Sequence, residues 1–240
     1  MARRLVLAAL TVCAAAGLRA EVPEVVTRIP THELVVALTF DACQADKVAH
    51  LDAGILAVLE QHPVPFTVFA GGKFVRSNTA AVAALARLPG VHVENHSWSH
   101  PRDMRLLSDE DVESEIRCTD EEIEAVTGRR PVLMRFPGGN VDERLVRIAK
   151  AMGHEVVHWR WAEGDPARAI DASMLISQTL ERVRPGDILI FHINGRGWHT
   201  AEALPDLMKR LEERGYRFVD LEAFLAPTAS LDPKEETKRR

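Results

Sequence analysis

Short apolar runs rich in β-branched residues alternate with amphipathic segments seven times along the chain. Each run is mostly apolar on both faces, which is typical of strands covered by helices on one side and by a barrel interior on the other. The runs are Val35–Phe40, Val64–Ala70, Val91–Glu94, Val132–Phe136, Glu155–Trp161, Asp187–His192 and Tyr216–Leu221. The alternation predicts parallel strands joined by crossover helices, in an α/β fold built as a distorted seven-stranded (β/α) barrel. An open sheet is the alternative.

The segments between these runs carry apolar residues at helical spacing. Val48, Leu51, Ile55 and Val58 form one stripe, and Val112, Ile116, Ile123 and Val126 form another. Two helix starts are also indicated. Ser108 followed by Asp111 resembles a capping box, and Thr200 is a candidate cap of the last long helix, whose first turn Pro205 can shift.

The two ends of the chain differ from the middle. Arg3 and Arg4 precede a stretch of apolar or small residues, which predicts a signal peptide over residues 1–20, with a retained anchor as the alternative. We therefore expect an exported protein, periplasmic or extracellular. Residues 21–226 are predicted to form a single catalytic domain without a membrane span, and residues 227–240 a disordered polar tail.

Composition narrows the classes of partner. The chain has 240 residues, of which 46% are hydrophobic and 27% charged, in the range of one ordinary globular core. Its formal net charge of -5 gives no basic footprint, so we predict that it does not bind nucleic acid. No pattern indicates an oligomeric state.

Polar side chains follow the ends of five predicted strands. They are Asp41, the pair His96 and His100, Arg135, Asp165 and His192. Because the carboxyl ends of parallel strands meet at one edge, we expect these side chains to lie close together.

Each of these residue types has a chemical and a structural interpretation. One helical turn would place His96 and His100 on the same side, which suits a divalent metal such as zinc; two surface histidines are the alternative. Asp41 is a candidate carboxylate base, or a turn residue, and Arg135 is placed to pair with it. His192 ends a buried strand and needs a partner there, for which Asp165 is the candidate.

These residues, in this order, resemble the polysaccharide deacetylase family, the carbohydrate esterases that include chitin and peptidoglycan deacetylases. The likeness runs from Val35 to Leu221 and involves five motifs. The matching pieces are Thr39-Phe40-Asp41, His96-Ser97-Trp98-Ser99-His100, Arg135-Phe136-Pro137, Trp159 through Asp165, and Leu189-Ile190-Phe191-His192.

The resemblance implies a hydrolase of non-peptide carbon–nitrogen bonds. Its expected reaction is metal-dependent removal of N-acetyl groups from a polysaccharide of the peptidoglycan, chitin or poly-N-acetylglucosamine type. The implied roles are metal ligands for His96 and His100, general base for Asp41, general acid for His192, and orientation of these two by Arg135 and Asp165. Pro137 and Gly138 are expected at the substrate, with zinc as the preferred metal.

Two departures from the family pattern change the picture. The family's usual second Asp, a metal ligand, is Ala42 here, so water, Cys43 or Asp46 would have to complete the metal site. Gly138 stands where an aromatic residue is common. Trp198, in a glycine-rich loop, is a candidate for stacking on a sugar, or else packs over the barrel rim.

Two other functions remain open at this point. O-deacetylation of an acetylated polysaccharide would use the same base and metal. The other hypothesis, which rests on Ala42, is a metal-poor pseudoenzyme that only binds glycan.

Overall fold

The computed structural model describes residues 24–44 and 47–225. The predicted signal peptide (1–20), the polar tail (227–240) and Asp46 lie outside the described residues. The domain bounds of 21–226 stay a prediction.

Seven strands occur in the described part of the chain, and all their pairings are parallel. They are β1 (Val35–Ala42), β2 (Phe66–Ala70), β3 (Val91–Asn95), β4 (Leu133–Met134), β5 (Glu155–Val156), β6 (Asp187–His192) and β7 (Arg217–Phe218). The sheet order is β5-β4-β3-β2-β1-β6, and β7 pairs with the start of β1. All seven predicted strands are present, with β4, β5 and β7 shorter than expected. The fold is a curled, parallel α/β half-barrel in one domain.

Helices fill the connections between the strands. Within the described residues they are α1 (Ala53–Gln61), α2 (Gly72–Ser77), α3 (Thr79–Leu85), α4 (Asp109–Thr127), α5 (Glu143–Ala151), α6 (Ala172–Arg182), α7 (Thr200–Glu213) and α8 (Leu221–Leu225). Short 3-10 turns lie at Met104–Leu106 and Pro137–Gly139. None of the helices described is both long and apolar enough to cross a membrane.

The first helical stripe was predicted too long. The carboxylate of Asp52 accepts hydrogen bonds from the backbone N–H groups of Gly54 and Ile55, and this cap starts α1 at Ala53. Val48 and Leu51 therefore lie before the helix, and Val48 is 60% exposed. A cap in the middle of an apolar stripe outweighs the periodicity of the stripe.

The helix starts at Ser108 and Thr200 have different outcomes. Ser108 is the cap of α4 as predicted, and its hydroxyl accepts from the backbone N–H of Asp111. Thr200 is wrong as a cap. It is the first residue of α7, its hydroxyl donates instead to the carboxylate of Asp165 at 2.9 Å, and the helix continues through Pro205.

The two faces of β1 have different neighbours, because side chains alternate along a strand. Val36, Leu38 and Phe40 belong to the main core, packed with residues of α1 and α7 such as Ile55 and Leu204. Ala42 lies in the same core cluster. Asp41 is one residue out of phase with this apolar set, so its side chain points to the barrel interior.

The described residues contain no β5–β6 pair. The segment 26–29 bridges the gap between the end of β5 and the start of β6. The N–H of Val26 donates to the carbonyl of Val156 at 2.8 Å, and that of Ile29 donates to Gly186 at 2.8 Å. This extended segment satisfies backbone groups that a neighbouring strand would otherwise pair.

Near the carboxyl ends, two acidic side chains take the place of a strand beside β6. Glu163 accepts a hydrogen bond from the N–H of Ile190 at 3.0 Å, and Asp165 accepts one from the N–H of His192 at 2.7 Å. Both carboxyl groups are buried. The free edge of β6 is thereby satisfied while the mouth of the barrel stays open.

Glu163 allows a test of this edge. Burial raises the pKa of its carboxyl well above the usual value, so the group is neutral at low pH and its stabilising effect is lost as pH rises toward the folded pKa. Glu163→Leu leaves the N–H of Ile190 without an acceptor, and we expect the free energy of unfolding to fall by about 1–3 kcal/mol. Glu163→Gln keeps an acceptor oxygen and does not ionise.

Urea unfolding at pH 4 and pH 9 checks this prediction, because the loss begins above the unfolded pKa of about 4.5. The Gln variant should match the wild type at pH 4 and lose less stability than the wild type at pH 9. Equal destabilisation by Gln and Leu would show that the hydrogen bond to Ile190 is not what Glu163 contributes.

Candidate active site

Asp41 and His192 lie side by side on neighbouring strands. The β1–β6 register pairs them directly, at the carboxyl end of both strands. Both line one cavity of about 620 Å³ at the mouth of the barrel, a size suited to a small ligand or part of a larger one. The sheet register itself therefore brings the predicted base and the predicted acid together.

Arg135 holds the Asp41 carboxylate in place. Its Nη1 donates to Asp41 Oδ1 at 2.8 Å and to Thr39 Oγ1 at 3.0 Å, and its guanidinium lies 3.9 Å from the ring centre of Phe69. Burial alone would raise the pKa of Asp41, but the charges of His96, Arg135 and His192 lower it to about 2. Asp41 is thus a carboxylate throughout the physiological range and is available to accept a proton.

Asp165 favours the protonated form of His192, whereas the surroundings of Asp41 favour its ionised form. Asp165 Oδ1 accepts from His192 Nδ1 at 2.9 Å, which assigns the ring proton to Nδ1 and leaves Nε2 for the cavity. Burial alone would lower the pKa of His192, but the hydrogen bond and charge of Asp165 outweigh it, and the pKa is raised above its usual 6.5. Such an imidazole is suited to donate a proton near neutral pH.

His96 and His100 meet through a bent loop instead of the expected helical turn. Ser97 and His100 both have positive φ, at 64° and 53°, and the two imidazole rings lie 5.1 Å apart between centroids. The loop is held by the start of α2, where the N–H groups of Gly72 and Lys73 donate to the carbonyls of Ser97 and Trp98.

The ring of His96 is oriented for binding through Nε2. Its Nδ1 lies 2.7 Å from the carbonyl oxygen of Arg135, and its Nε2 lies 3.5 Å from Asp41 Oδ2. Burial lowers the pKa of His96 to about 4, so at neutral pH its Nε2 carries a lone pair. An imidazole whose other nitrogen is fixed by a carbonyl is the usual arrangement of a metal ligand.

Comparison with known proteins identifies the family of the chain. The family model described as polysaccharide deacetylase matches residues 28–157, more than half of the chain. The chain belongs to the polysaccharide deacetylase family. A peptidoglycan-N-acetylglucosamine deacetylase of Bacillus cereus is 27% identical over 200 residues, which cover 82% of this chain and 91% of that protein. The chain spans 63% of a longer relative from Geobacillus stearothermophilus, an uncharacterized 30.6 kDa protein.

Solved structures of the family have the same fold. The Bc1960 peptidoglycan N-acetylglucosamine deacetylase superposes with a TM-score of 0.75 and 25% identity, over 83% of this chain and 91% of that one. A mutant of the CE4 family pseudoenzyme BA3943 with restored enzymatic activity superposes with a TM-score of 0.74 and 25% identity, over 84% and 71%. The wild-type pseudoenzyme superposes with the same TM-score of 0.74, so a deacetylase and a pseudoenzyme share this fold.

The donor atoms fit a divalent cation held by two imidazoles. His96 presents the lone pair of Nε2 beside the Asp41 carboxylate, and His100 packs edge-on against His96. Two imidazoles suit zinc and other borderline cations, whereas a catalytic zinc normally has three protein ligands. A cation bound by these two imidazoles would have one protein ligand fewer than a usual catalytic zinc.

Within the described residues, neither position 42 nor Cys43 supplies a third metal ligand. Ala42 is fully buried in the core cluster, and the Cys43 thiol accepts a hydrogen bond from Asn194 Nδ2 at 3.3 Å. Neither Cys43 nor Asp41 forms, with His96 and His100, a group of three ligand atoms within 4.8 Å of one another in the described part of the chain.

One such three-ligand group does occur among the described residues, away from the cavity. It consists of His92, Glu94 and Glu222. Arg129 donates to both carboxylates, at 2.7 Å to Glu222, and the N–H groups of residues 132 and 133 donate to Glu94. Both carboxylates are therefore already paired with Arg129, and we interpret the group as an ion-pair network that supports β4.

Ala42→Asp tests whether the missing ligand limits metal affinity. We expect zinc affinity to rise at least about tenfold by titration calorimetry, because a third anionic ligand is added. When a chelator removes the metal, the free energy of unfolding of the same variant should be about 1–3 kcal/mol lower than that of the wild type, since a polar group enters the core. Ala42→Asn is the matched control, with the same loss of stability and no gain in affinity. Unchanged zinc affinity in Ala42→Asp would refute this explanation.

The predicted substrate residues fall in different places. Gly138 lines the catalytic cavity with φ of 63°, whereas Pro137 is buried beside it. Trp198 is 46% exposed, is not among the residues that line the cavity, and carries the guanidinium of Arg168 3.8 Å from its ring centre. The aromatic residue that does line the cavity is Trp159.

Sequence reasoning missed several residues of the site. Arg102 and Arg196 line the cavity, and Thr200 donates to Asp165. Arg102 follows the HSWSH motif closely and Arg196 lies four residues after His192, so nearness to motif residues was the available signal. The role of Thr200 had no sequence signal, because its partner is 35 residues away.

Proposed function

We propose that this protein is a secreted, metal-dependent deacetylase that hydrolyses N-acetyl groups of a polysaccharide of the cell-wall or chitin type. The observation that carries the proposal is the direct pairing of Asp41 with His192 across β1 and β6, with opposite protonation tendencies at one cavity. Two titratable groups held in this way are typical of a general base and a general acid. The deacetylase names of the relatives support the same reaction.

In the proposed reaction, Asp41 accepts the proton of the water that attacks the acetamide carbonyl carbon. The Arg135 guanidinium keeps Asp41 ionised and correctly oriented. His192 then donates a proton to the amine as the carbon–nitrogen bond breaks, and acetate and a free amino sugar result. A divalent cation held by His96 and His100 would supply polarisation of the carbonyl and a more acidic water.

The test is release of acetate from an N-acetylglucosamine oligomer by purified mature protein. Protein dialysed against a chelator should be inactive, and added zinc should restore activity, with more zinc needed than for a three-ligand site. An O-acetylated oligosaccharide assayed in parallel separates amide from ester hydrolysis. Activity that survives chelation unchanged would contradict the metal dependence.

A second candidate function rests on Ala42. With one metal ligand fewer, the cavity would bind an acetylated glycan without hydrolysing it. Binding of the oligomer by the folded protein, with no acetate released even at saturating zinc, would favour this function over the first.

A further inference from the structure

A second cavity adjoins the candidate catalytic cavity, and the two together are called the cleft. The second cavity, of about 840 Å³, is lined by residues 43–44, 47–54 and 194–196, together with His100. His100 and Arg196 line both cavities, so the two lie side by side at the proposed metal ligands. A cleft of this extent accommodates more than the reacting sugar.

Cationic side chains in this cleft have no acidic partner in the described residues. Arg102 and Arg196 line the catalytic half, Lys47 lines the other half, and none of them forms an ion pair there. The carboxylates that line the cleft are each engaged. Asp41 accepts from Arg135, Asp165 from His192 and Thr200, and Asp52 from the N–H groups that start α1. Among the described residues that line the cleft, the three cations Arg102, Arg196 and Lys47 therefore outnumber Asp52, the carboxylate without a cationic partner there.

The backbone of the Arg196 loop is tightly fixed. Gly195 has φ of 77°, and a Cβ at Gly197 would lie 2.5 Å from the carbonyl oxygen of His192 and 2.8 Å from Asp165 Oδ2. The N–H of Trp198 also donates to the carbonyl of Asp165 at 3.3 Å. The backbone after Arg196 is thus packed against His192 and Asp165, and the Arg196 side chain extends from it as an exposed group.

The guanidinium of Arg196 turns toward the junction of the two cavities. Its Nη1 lies 3.8 Å from the Cys43 thiol, and Arg196 lines both cavities. A glycan bound across both cavities would therefore pass this guanidinium.

We infer that the cleft selects a glycan that carries a carboxylate close to its N-acetyl group, and that Arg196, assisted by Arg102, binds this carboxylate. The inference rests on the proposed function, in that the ligand is an acetylated glycan. Arginine binds a carboxylate through two parallel N–H···O hydrogen bonds, which a neutral sugar cannot replace. Arg196 and Arg102 are specificity-determining residues, and the chemistry of acetate release belongs to Asp41 and His192.

The experiment compares two ligands that differ in one group. A muramic-acid-containing oligosaccharide has a free lactyl carboxylate, and its carboxyl-reduced form has an alcohol instead. Binding of each is measured by titration calorimetry with zinc present, for the wild type, Arg196→Gln and Arg102→Gln/Arg196→Gln. Arg117→Gln is the matched control, an exposed arginine on α4 that does not line either cavity.

The wild type and Arg117→Gln should bind the carboxylate form about tenfold more tightly than the reduced form, as expected for one charge-assisted contact. Arg196→Gln should lose most of this preference and the double variant all of it. Equal affinity of the wild type for both ligands, or a preference kept in the double variant, would overturn the inference. Acetate release is measured separately, so a protein that keeps the binding preference and releases no acetate would refute the proposed hydrolysis alone.

Discussion

Replacement of Asp41 by Asn should lower the rate of acetate release by about 10²–10⁴-fold, the usual contribution of a general base. Asn preserves the shape of the side chain and an oxygen for Arg135, but it cannot take a proton from water. The same change leaves the fully buried Arg135 cation without its carboxylate. We therefore also expect a loss of about 3 kcal/mol in the free energy of unfolding.

A double variant separates these two effects. Asp41→Asn/Arg135→Met removes the unpaired buried cation together with the carboxylate, so stability should recover while the activity stays lost. Urea unfolding and initial rates of acetate release give the two readouts. Recovery of activity with stability would mean that Asp41 matters only for the fold, and full activity in Asp41→Asn would exclude it as the base.

The second large effect is expected at Asp165, which acts through His192. The carboxylate accepts from His192 Nδ1, from the His192 backbone N–H and from the Thr200 hydroxyl. His192 must be protonated to act as the acid, so the rate falls as pH rises through its pKa. Asp165→Asn removes the charge of Asp165, a main cause of the raised pKa, while the lowering effect of burial stays. The alkaline limb of the pH–rate profile should move to lower pH, and the rate at pH 8 should fall by about 10²-fold.

Thr200→Val is the control for this prediction, because it removes a single hydrogen bond to Asp165 and leaves the carboxylate charged. Its alkaline limb should stay close to that of the wild type. If the Asp165→Asn profile kept the wild-type limb and only its height changed, Asp165 would position the loop without setting the pKa of His192.

The hydrophobic pattern was sufficient to predict the strands but not the contacts that fill the gap between β5 and β6. The central runs became strands because β1, β2 and β6 have buried residues on both faces, as the apolar composition of the runs predicts. The gap between β5 and β6 could not be predicted. It is closed by residues 26–29 and by Glu163, whose partners are distant in sequence. The Asp52 cap and the Thr200 hydrogen bond to Asp165 likewise depend on local geometry and tertiary contacts.

The candidate catalytic residues were easier to predict from the sequence than the candidate substrate residues. Strand ends predict which side chains share an edge, and Asp41, Arg135 and His192 meet there. Whether an exposed side chain in a loop faces the cavity depends on backbone angles that composition does not encode. Trp198 was chosen for its indole, yet the loop that holds Arg196 in the cavity leaves Trp198 outside the residues that line it.

The most direct test of the proposed reaction is hydrolysis of an N-acetylglucosamine oligomer in ¹⁸O-labelled water, with acetate and new free amines counted together. The account predicts one free amine for each acetate, one ¹⁸O atom in each acetate, and loss of both products in Asp41→Asn. Folded, zinc-supplied wild-type protein that produces neither acetate nor amine from N-acetylated oligosaccharides would contradict it.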